Sequence, residues 1–177
     1  MKNVIIALSI FVAIALEAVA ASPKPNDSKN GLWLNYSGAK GPGKGRHVVL
    51  IAADQEYRSE QSMPMLAKVL SKHHGFDCTV LFSVNEKGEV DPTMPAPFKD
   101  KTKRHNIPGL RLLAKADCVI WLSRFMHLSE EQMQHFYDYF DSGKPLIALR
   151  TANHGFWGGL QYKKGGKNVS LREMLGG

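Results

Sequence analysis

The sequence predicts one α/β domain on an open, doubly wound parallel sheet with helices on both faces. Three observations carry this. Short apolar runs alternate with helical patterns in the order β-α-β-α-β-α-β, which demands parallel strands and right-handed crossovers. The runs are continuous, HVVLIAA at His47–Ala53 and CVIWLS at Cys118–Ser123, as in strands covered on both sides. A composition 44% hydrophobic and 22% charged excludes wholesale disorder and a membrane bundle.

The first twenty residues read as a cleaved signal peptide. Lys2 is a basic start, residues 4–16 are apolar except for Ser9, and Ala18-Val19-Ala20 is a small-x-small cleavage site. That run is shorter than the ~17–25 residues a spanning helix needs. Export to the periplasm or beyond follows, with no membrane contact after cleavage and no intracellular nucleic acid as partner. Residues 21–46, rich in Pro, Gly, Ser and Lys, read as a linker. Trp33, Leu34 and Tyr36 interrupt it as a short surface strap. Gly41-Pro42-Gly43-Lys44-Gly45 precedes the first strand and lacks a Lys-Ser/Thr ending, so it is no P-loop.

The domain proper spans 47–177. A helix over 62–74 is marked by Met63, Leu66, Ala67 and Leu70, with Pro64 tolerated in its first turn and Gly75 as its stop. A strand over 76–82 follows. The stretch 83–106 carries prolines and a basic cluster (Lys99, Lys101, Lys103, Arg104, His105) with interleaved acids, and reads as a solvated excursion. A short helix over 107–116 leads to the strand CVIWLS. In the next helix, Ser129 with Gln132 forms a capping box, Leu128 with Met133 a hydrophobic staple, and Met133, Phe136, Tyr137 and Phe140 the apolar stripe. Gly143 and Pro145 end it, and a fourth strand covers 145–149. The remainder is Gly- and Lys-rich, with one helical signal at 171–175. Four strands are few for such a sheet, so the chain reads as most of one domain, cut short at its C-terminus.

The net charge of +7 invites a nucleic-acid reading, but residues 47–159 hold 13 basic and 13 acidic residues and are neutral. The excess is terminal.

Open parallel sheets bind ligands at the carboxyl ends of their strands. There the sequence places Asp54, Glu56, Tyr57 and Arg58 after the first strand and Arg124 and His127 after the third. Arg150, Thr151, Asn153 and His154 follow the fourth. The arginines offer planar, bidentate donors for hydroxyl, carboxylate or phosphate oxygens. Asp54, Glu56, Tyr57, Arg58, Arg124, Arg150, Thr151 and Asn153 are therefore the ligand-binding candidates. His154 is the acid/base candidate. No metal site is expected: His73-His74 ends a helix, and His105 and His135 lack partners at ligand spacing. Cys78 and Cys118, in the second and third strands, would lie two strand spacings apart (about 9–10 Å), too far for a disulfide. Asn35-Tyr36-Ser37 and Asn168-Val169-Ser170 match glycosylation sequons.

The segments GPGKGRHVVLIAADQEYRSEQSMPMLAKVLSKHHGFDCTVLF, NIPGL, EEQMQHFYDYFDSGKP and PLIALRTANHGF resemble the ThuA-like domain proteins. These are trehalose-utilisation-type members of the class I glutamine amidotransferase-like superfamily, and the likeness is to their exported bacterial branch. It covers roughly residues 41–159 and implies a flavodoxin-like fold continuing past Gly177. It also implies a carbohydrate ligand, a sugar or keto-sugar that the domain binds and in some form converts. Aligning PLIALRTANH on the amidotransferase elbow puts Arg150 at or near the nucleophile position, so glutamine hydrolysis is not expected. No cofactor is expected, since Asp-Gln-Glu-Tyr-Arg after the first strand does not suit a flavin phosphate. The alternative is a non-catalytic interaction module of a larger exported protein or complex.

Overall fold

A computed structural model describes residues 32–176, together with the backbone of Asn26–Asp27. The signal-peptide reading of residues 1–20 lies outside the described residues. The chain forms β1 (Asn26–Asp27), β2 (Trp33–Tyr36), β3 (His47–Ala53), α1 (Ser59–His74), β4 (Asp77–Phe82) and β5 (Cys118–Ser123). Then come α2 (Glu130–Asp141), β6 (Leu146–Ala148), β7 (Tyr162–Lys164), β8 (Lys167–Val169) and α3 (Leu171–Met174). A two-turn 3-10 helix occupies Leu110–Lys115 and a single 3-10 turn Ala152–His154.

The main sheet runs β1-β2-β4-β3-β5-β6. Its heart is parallel: β3 pairs with β4 on one side and β5 on the other, and β6 pairs parallel to β5. The expected all-parallel sheet is corrected at one edge, where β2 runs antiparallel to β4 and β1 antiparallel to β2. The strap expected at Trp33–Tyr36 is thus a strand of the sheet, and the linker reading of 21–46 does not hold there. Three of its four side chains are aromatic or branched, which fits a pleated, half-buried surface. It is stitched in by a polar row: Thr79 Oγ1 donates to Asn35 Oδ1 (2.9 Å) and contacts His47 Nε2 (2.9 Å).

Side-chain alternation divides the sheet residues between two cores. Val49, Ile51, Leu81, Val119 and Trp121 join Leu110, Leu113, Phe136 and Tyr139 from the 3-10 helix and α2. Val48, Leu50, Ala52, Val80, Phe82, Ile120 and Leu122 join Met63 and Ala67 of α1. Trp121 is the largest fully buried side chain and meets Phe136 (5.4 Å) and Phe156 (5.0 Å) ring to ring.

The helix boundaries follow their caps. α1 starts three residues earlier than expected, at Ser59, and ends where Gly75 takes φ 79 and its N–H reaches back to Leu70 and Ser71 carbonyls. In α2 the Ser129 side chain accepts from the Gln132 N–H, but the reciprocal half of the expected capping box is corrected: the Gln132 side chain bonds Asn106 and Ile107 instead. The expected helix over 107–116 is a six-residue 3-10 helix, and the expected strand over 145–149 shrinks to three residues. The β7–β8 hairpin was not anticipated in the Gly- and Lys-rich tail.

The stretch from Ser83 to Asn106 is largely exposed, Lys99, Lys101, Lys103 and Arg104 included, as the solvated-excursion reading expects, but it is anchored. Val84 and Asn106 bridge its two ends, Met94 is buried, and His105 is 2% exposed. His105 clamps it: the imidazole Nδ1 accepts from the His127 N–H (2.9 Å), so Nε2 carries the proton and donates to Pro95 O (2.9 Å). The His105 N–H in turn donates to His127 O (2.7 Å), and Phe98 stacks on the ring at 4.1 Å.

Candidate functional site

The connections leaving the parallel strands β3, β5 and β6 each contain one residue of strained backbone. Among the described residues, three non-glycine positions have positive φ: Arg58 (53°), Phe125 (48°) and Thr151 (82°). They follow β3, β5 and β6 respectively, on the carboxyl-end rim. For a β-branched residue such as Thr151 this conformation is a genuine outlier, and such strain persists only where surrounding contacts enforce it.

What enforces it at Thr151 is a buried polar knot. Asp54 is fully buried (0% exposed) and Thr151 nearly so (5%). The Thr151 hydroxyl makes a short hydrogen bond to Asp54 Oδ2 and lies 3.1 Å from Ser123 O, so it ties the ends of β3, β5 and β6 together. The Tyr57 N–H donates to Asp54 Oδ1 (3.2 Å), and the Asp54 N–H donates to Ser59 Oγ (2.8 Å) at the start of α1. Among the described residues Asp54 has no cationic partner, and its oxygens are satisfied by neutral donors. The carboxylate thus holds the Thr151 hydroxyl at the strained turn and fixes its proton's direction.

Around the knot the remaining candidates pair off. Glu56 and Arg124 form an ion pair. The Arg124 guanidinium also covers the Phe125 ring at 5.0 Å, and that of Arg150 covers Tyr57 at 5.3 Å. Arg58 turns to Glu60 (2.8 Å). Asn153 is exposed. The structure therefore joins Asp54 with Thr151, Glu56 with Arg124, and Tyr57 with Arg150, and leaves Arg58 apart.

His154 does not face the knot. Its exposed imidazole lies against Phe125 at 5.0 Å, and Asp54, not His154, touches the Thr151 hydroxyl. A base acting on the Thr151 hydroxyl would therefore be Asp54, while His154 keeps an exposed place on the rim. The strained elbow is likewise at Thr151, one residue beyond the Arg150 of the alignment.

Two clefts flank the knot. One of about 240 Å³ is lined by Asp54, Glu56 and Arg124 and walled by Pro92, Met94 and Ala96 of the clamped loop. Another of about 450 Å³ is lined by Arg150, Thr151, Asn153, Leu149, Met174 and Leu175. A larger cavity of about 760 Å³ lies under the same loop, between Val84 and Pro108. It touches none of the strained positions, and an ion pair between Glu86 and Lys103 (3.2 Å) bears on its wall, so size alone does not make it the site.

The cysteines stand at the other end of the sheet. Cys78 and Cys118 flank Val48 in register, one on each side, near the starts of β4 and β5. Both are free, and burial pushes the Cys78 thiol up to about 12 with help from Asp77, and raises Cys118. Neither is a nucleophile for rim chemistry. No group of three or more potential metal ligands occurs among the described residues.

Sequence reasoning missed Ser123, Phe125, Trp157 and the loop wall. Only Ser123 and Phe125 carried a signal, their place beside Arg124 at the end of β5. Comparison with protein-family models, curated proteins and solved structures finds no match to this chain.

Proposed function

We propose that the chain is an exported carbohydrate-binding domain of the flavodoxin-like, doubly wound kind, related to the ThuA-like domains. Its ligand, a sugar or keto-sugar, rests on the carboxyl-end rim. The observation that carries this reading is the strained Thr151 beyond β6, hydrogen-bonded to the buried Asp54 beyond β3 and to the Ser123 carbonyl at the end of β5. In this reading Arg124 and Arg150 hold ligand oxygens, Glu56 accepts from hydroxyls, and Asp54 serves Thr151 in any conversion. The test is thermal-shift and calorimetric screening against disaccharides and their oxidised forms. Binding weakened by Arg150→Ala or Glu56→Ala supports the reading, and no response to any sugar sinks it.

One observation favours the second reading, an interaction module. β6 is an open edge with Ile147 49% exposed. Loss of partner capture in Ile147→Lys, with sugar binding unchanged or absent, would favour it.

A further inference from the structure

The end of the described chain carries a second surface. β7 and β8 form a hairpin whose two-residue turn, Gly165-Gly166, has φ 59° and 80°, as a type I′ turn requires. Tyr162 pins its base, with its ring on Tyr137 (5.8 Å) and its hydroxyl on Asp141 Oδ1 (2.5 Å). Lys163, Lys164 and Lys167 are exposed, and among the described residues none of them makes an ion pair. Lys164 and Lys167 stand directly opposite one another across the strands. Like charges in that position destabilise a hairpin. Nearby acids do not relieve them: Glu173 accepts from the Ser170 N–H (2.8 Å) and hydroxyl (2.7 Å), and Asp141 is taken by Tyr162.

Gln161 and Ser170, which flank the base of the hairpin, line a cleft of about 430 Å³. Its floor is Phe156, Leu160 and Leu171, and Phe125, His154 and Trp157 form one wall. Trp157 is 40% exposed, and its indole meets Phe125 edge-on at 6.2 Å. Arg172 lines the cleft and makes no ion pair among the described residues. An exposed aromatic wall suits the C–H face of a sugar ring, and the guanidinium fork suits a carboxylate. The Cβ atoms of directly opposed residues stand about 5 Å apart, so both flexible lysine side chains start within one pyranose length of each other.

We infer that the Trp157 cleft and the β7–β8 hairpin form one binding surface for an oligo-uronate, an acidic saccharide. One ring lies on Trp157 with its carboxylate at Arg172, and the following carboxylates meet Lys164 and Lys167. This rests on the carbohydrate reading above and names the ligand class, at a cleft that shares Asn153 with the Arg150–Thr151 cleft and is lined by neither Asp54 nor Thr151.

The test titrates the full chain with an oligogalacturonate, a neutral gluco-oligosaccharide of equal length and a single-stranded DNA oligomer, at about 50 and about 200 mM salt. The expected result is preference for the uronate, weakened about tenfold or more by Trp157→Ala. The double variant Lys164→Gln/Lys167→Gln should lower the salt dependence. These side chains are exposed, and far-ultraviolet circular dichroism checks that the variants fold. The inference is overturned if the uronate binds no tighter than the neutral chain, or if DNA binds equally well with Trp157→Ala unaffected, which marks simple polyanion adsorption. Uronate binding unchanged in Trp157→Ala, with neutral sugar binding lost in Arg150→Ala, would overturn this inference and leave the rim reading standing. No response to any saccharide overturns both.

Discussion

β5 and β6 are neighbours in one parallel sheet and look alike in sequence, yet they live in different surroundings. From Val119 to Ser123, β5 is buried throughout, and Trp121 is fully enclosed. β6 pairs with β5 over three residues, and its middle residue, Ile147, is 49% exposed. The same branched apolar vocabulary therefore serves two ends: packing energy in β5, and in β6 a short platform that delivers Thr151 to the rim. Apolar runs report what a strand is able to bury, and the count of neighbours decides what it does bury.

The largest expected effect breaks the comparison if it fails. Trp121→Ala should cost about 3–5 kcal/mol in urea unfolding, the usual penalty for emptying a large core site. Ile147→Ala should cost less than about 1 kcal/mol, and near-equal losses would mean that β6 is as enclosed as β5. Thr151→Val, nearly isosteric, leaves Asp54 Oδ2 buried without its donor and should cost about 1–3 kcal/mol. In Thr151→Gly, relief of the positive φ should offset part of that loss, so a glycine variant no more stable than the valine would refute strain at the elbow.

A smaller effect concerns the loop that walls one cleft. Burial, the leading cause, pushes His105 below its ordinary 6.5, opposed by its bond to Pro95 and aided by His127. The unfolded chain therefore binds this proton more readily. The contribution of a neutral His105 is complete above about pH 6.5 and is lost as pH falls towards its lower folded value. Thermal melts should show a decline below pH 6.5 that is reduced in His105→Gln. An unchanged decline would assign it to other groups, His127 first, since that imidazole is also lowered by burial and by Arg104. Smallest of all, Ile147→Lys should leave monomer stability within about 0.5 kcal/mol, as for an ordinary surface change.

Legibility followed locality. β3 and β5 were readable to the residue because a continuous apolar run bounded by polar residues is a local signal. The Ser129–Gln132 cap was readable for the same reason. β2 was not, because four residues inside a Pro- and Gly-rich stretch acquire strand character only by pairing with β4, far along the chain. The order of the Ser83-to-Asn106 stretch rests on His105, whose partners Pro95 and His127 are fixed only in three dimensions. At the site, the rule that ligands gather at strand ends supplied Asp54, Glu56, Arg124 and Thr151. It could not say that Asp54 chooses Thr151, or that His154 turns away, because side-chain pairing across three strands has no sequence spacing.

Gly155 gives the molecule one further property. A Cβ there would stand 2.5 Å from Ser123 Oγ and 2.7 Å from the Trp121 ring. The segment leaving the elbow thus lies directly on the central indole, with no spacer between them. Residues on either side of that contact cannot drift independently. A change tolerated at Trp121 in one background should be rejected in another that alters Thr151 or Phe156, and double variants across Gly155 should depart from the sum of their parts. The history of substitution at the rim would then be written partly in the core.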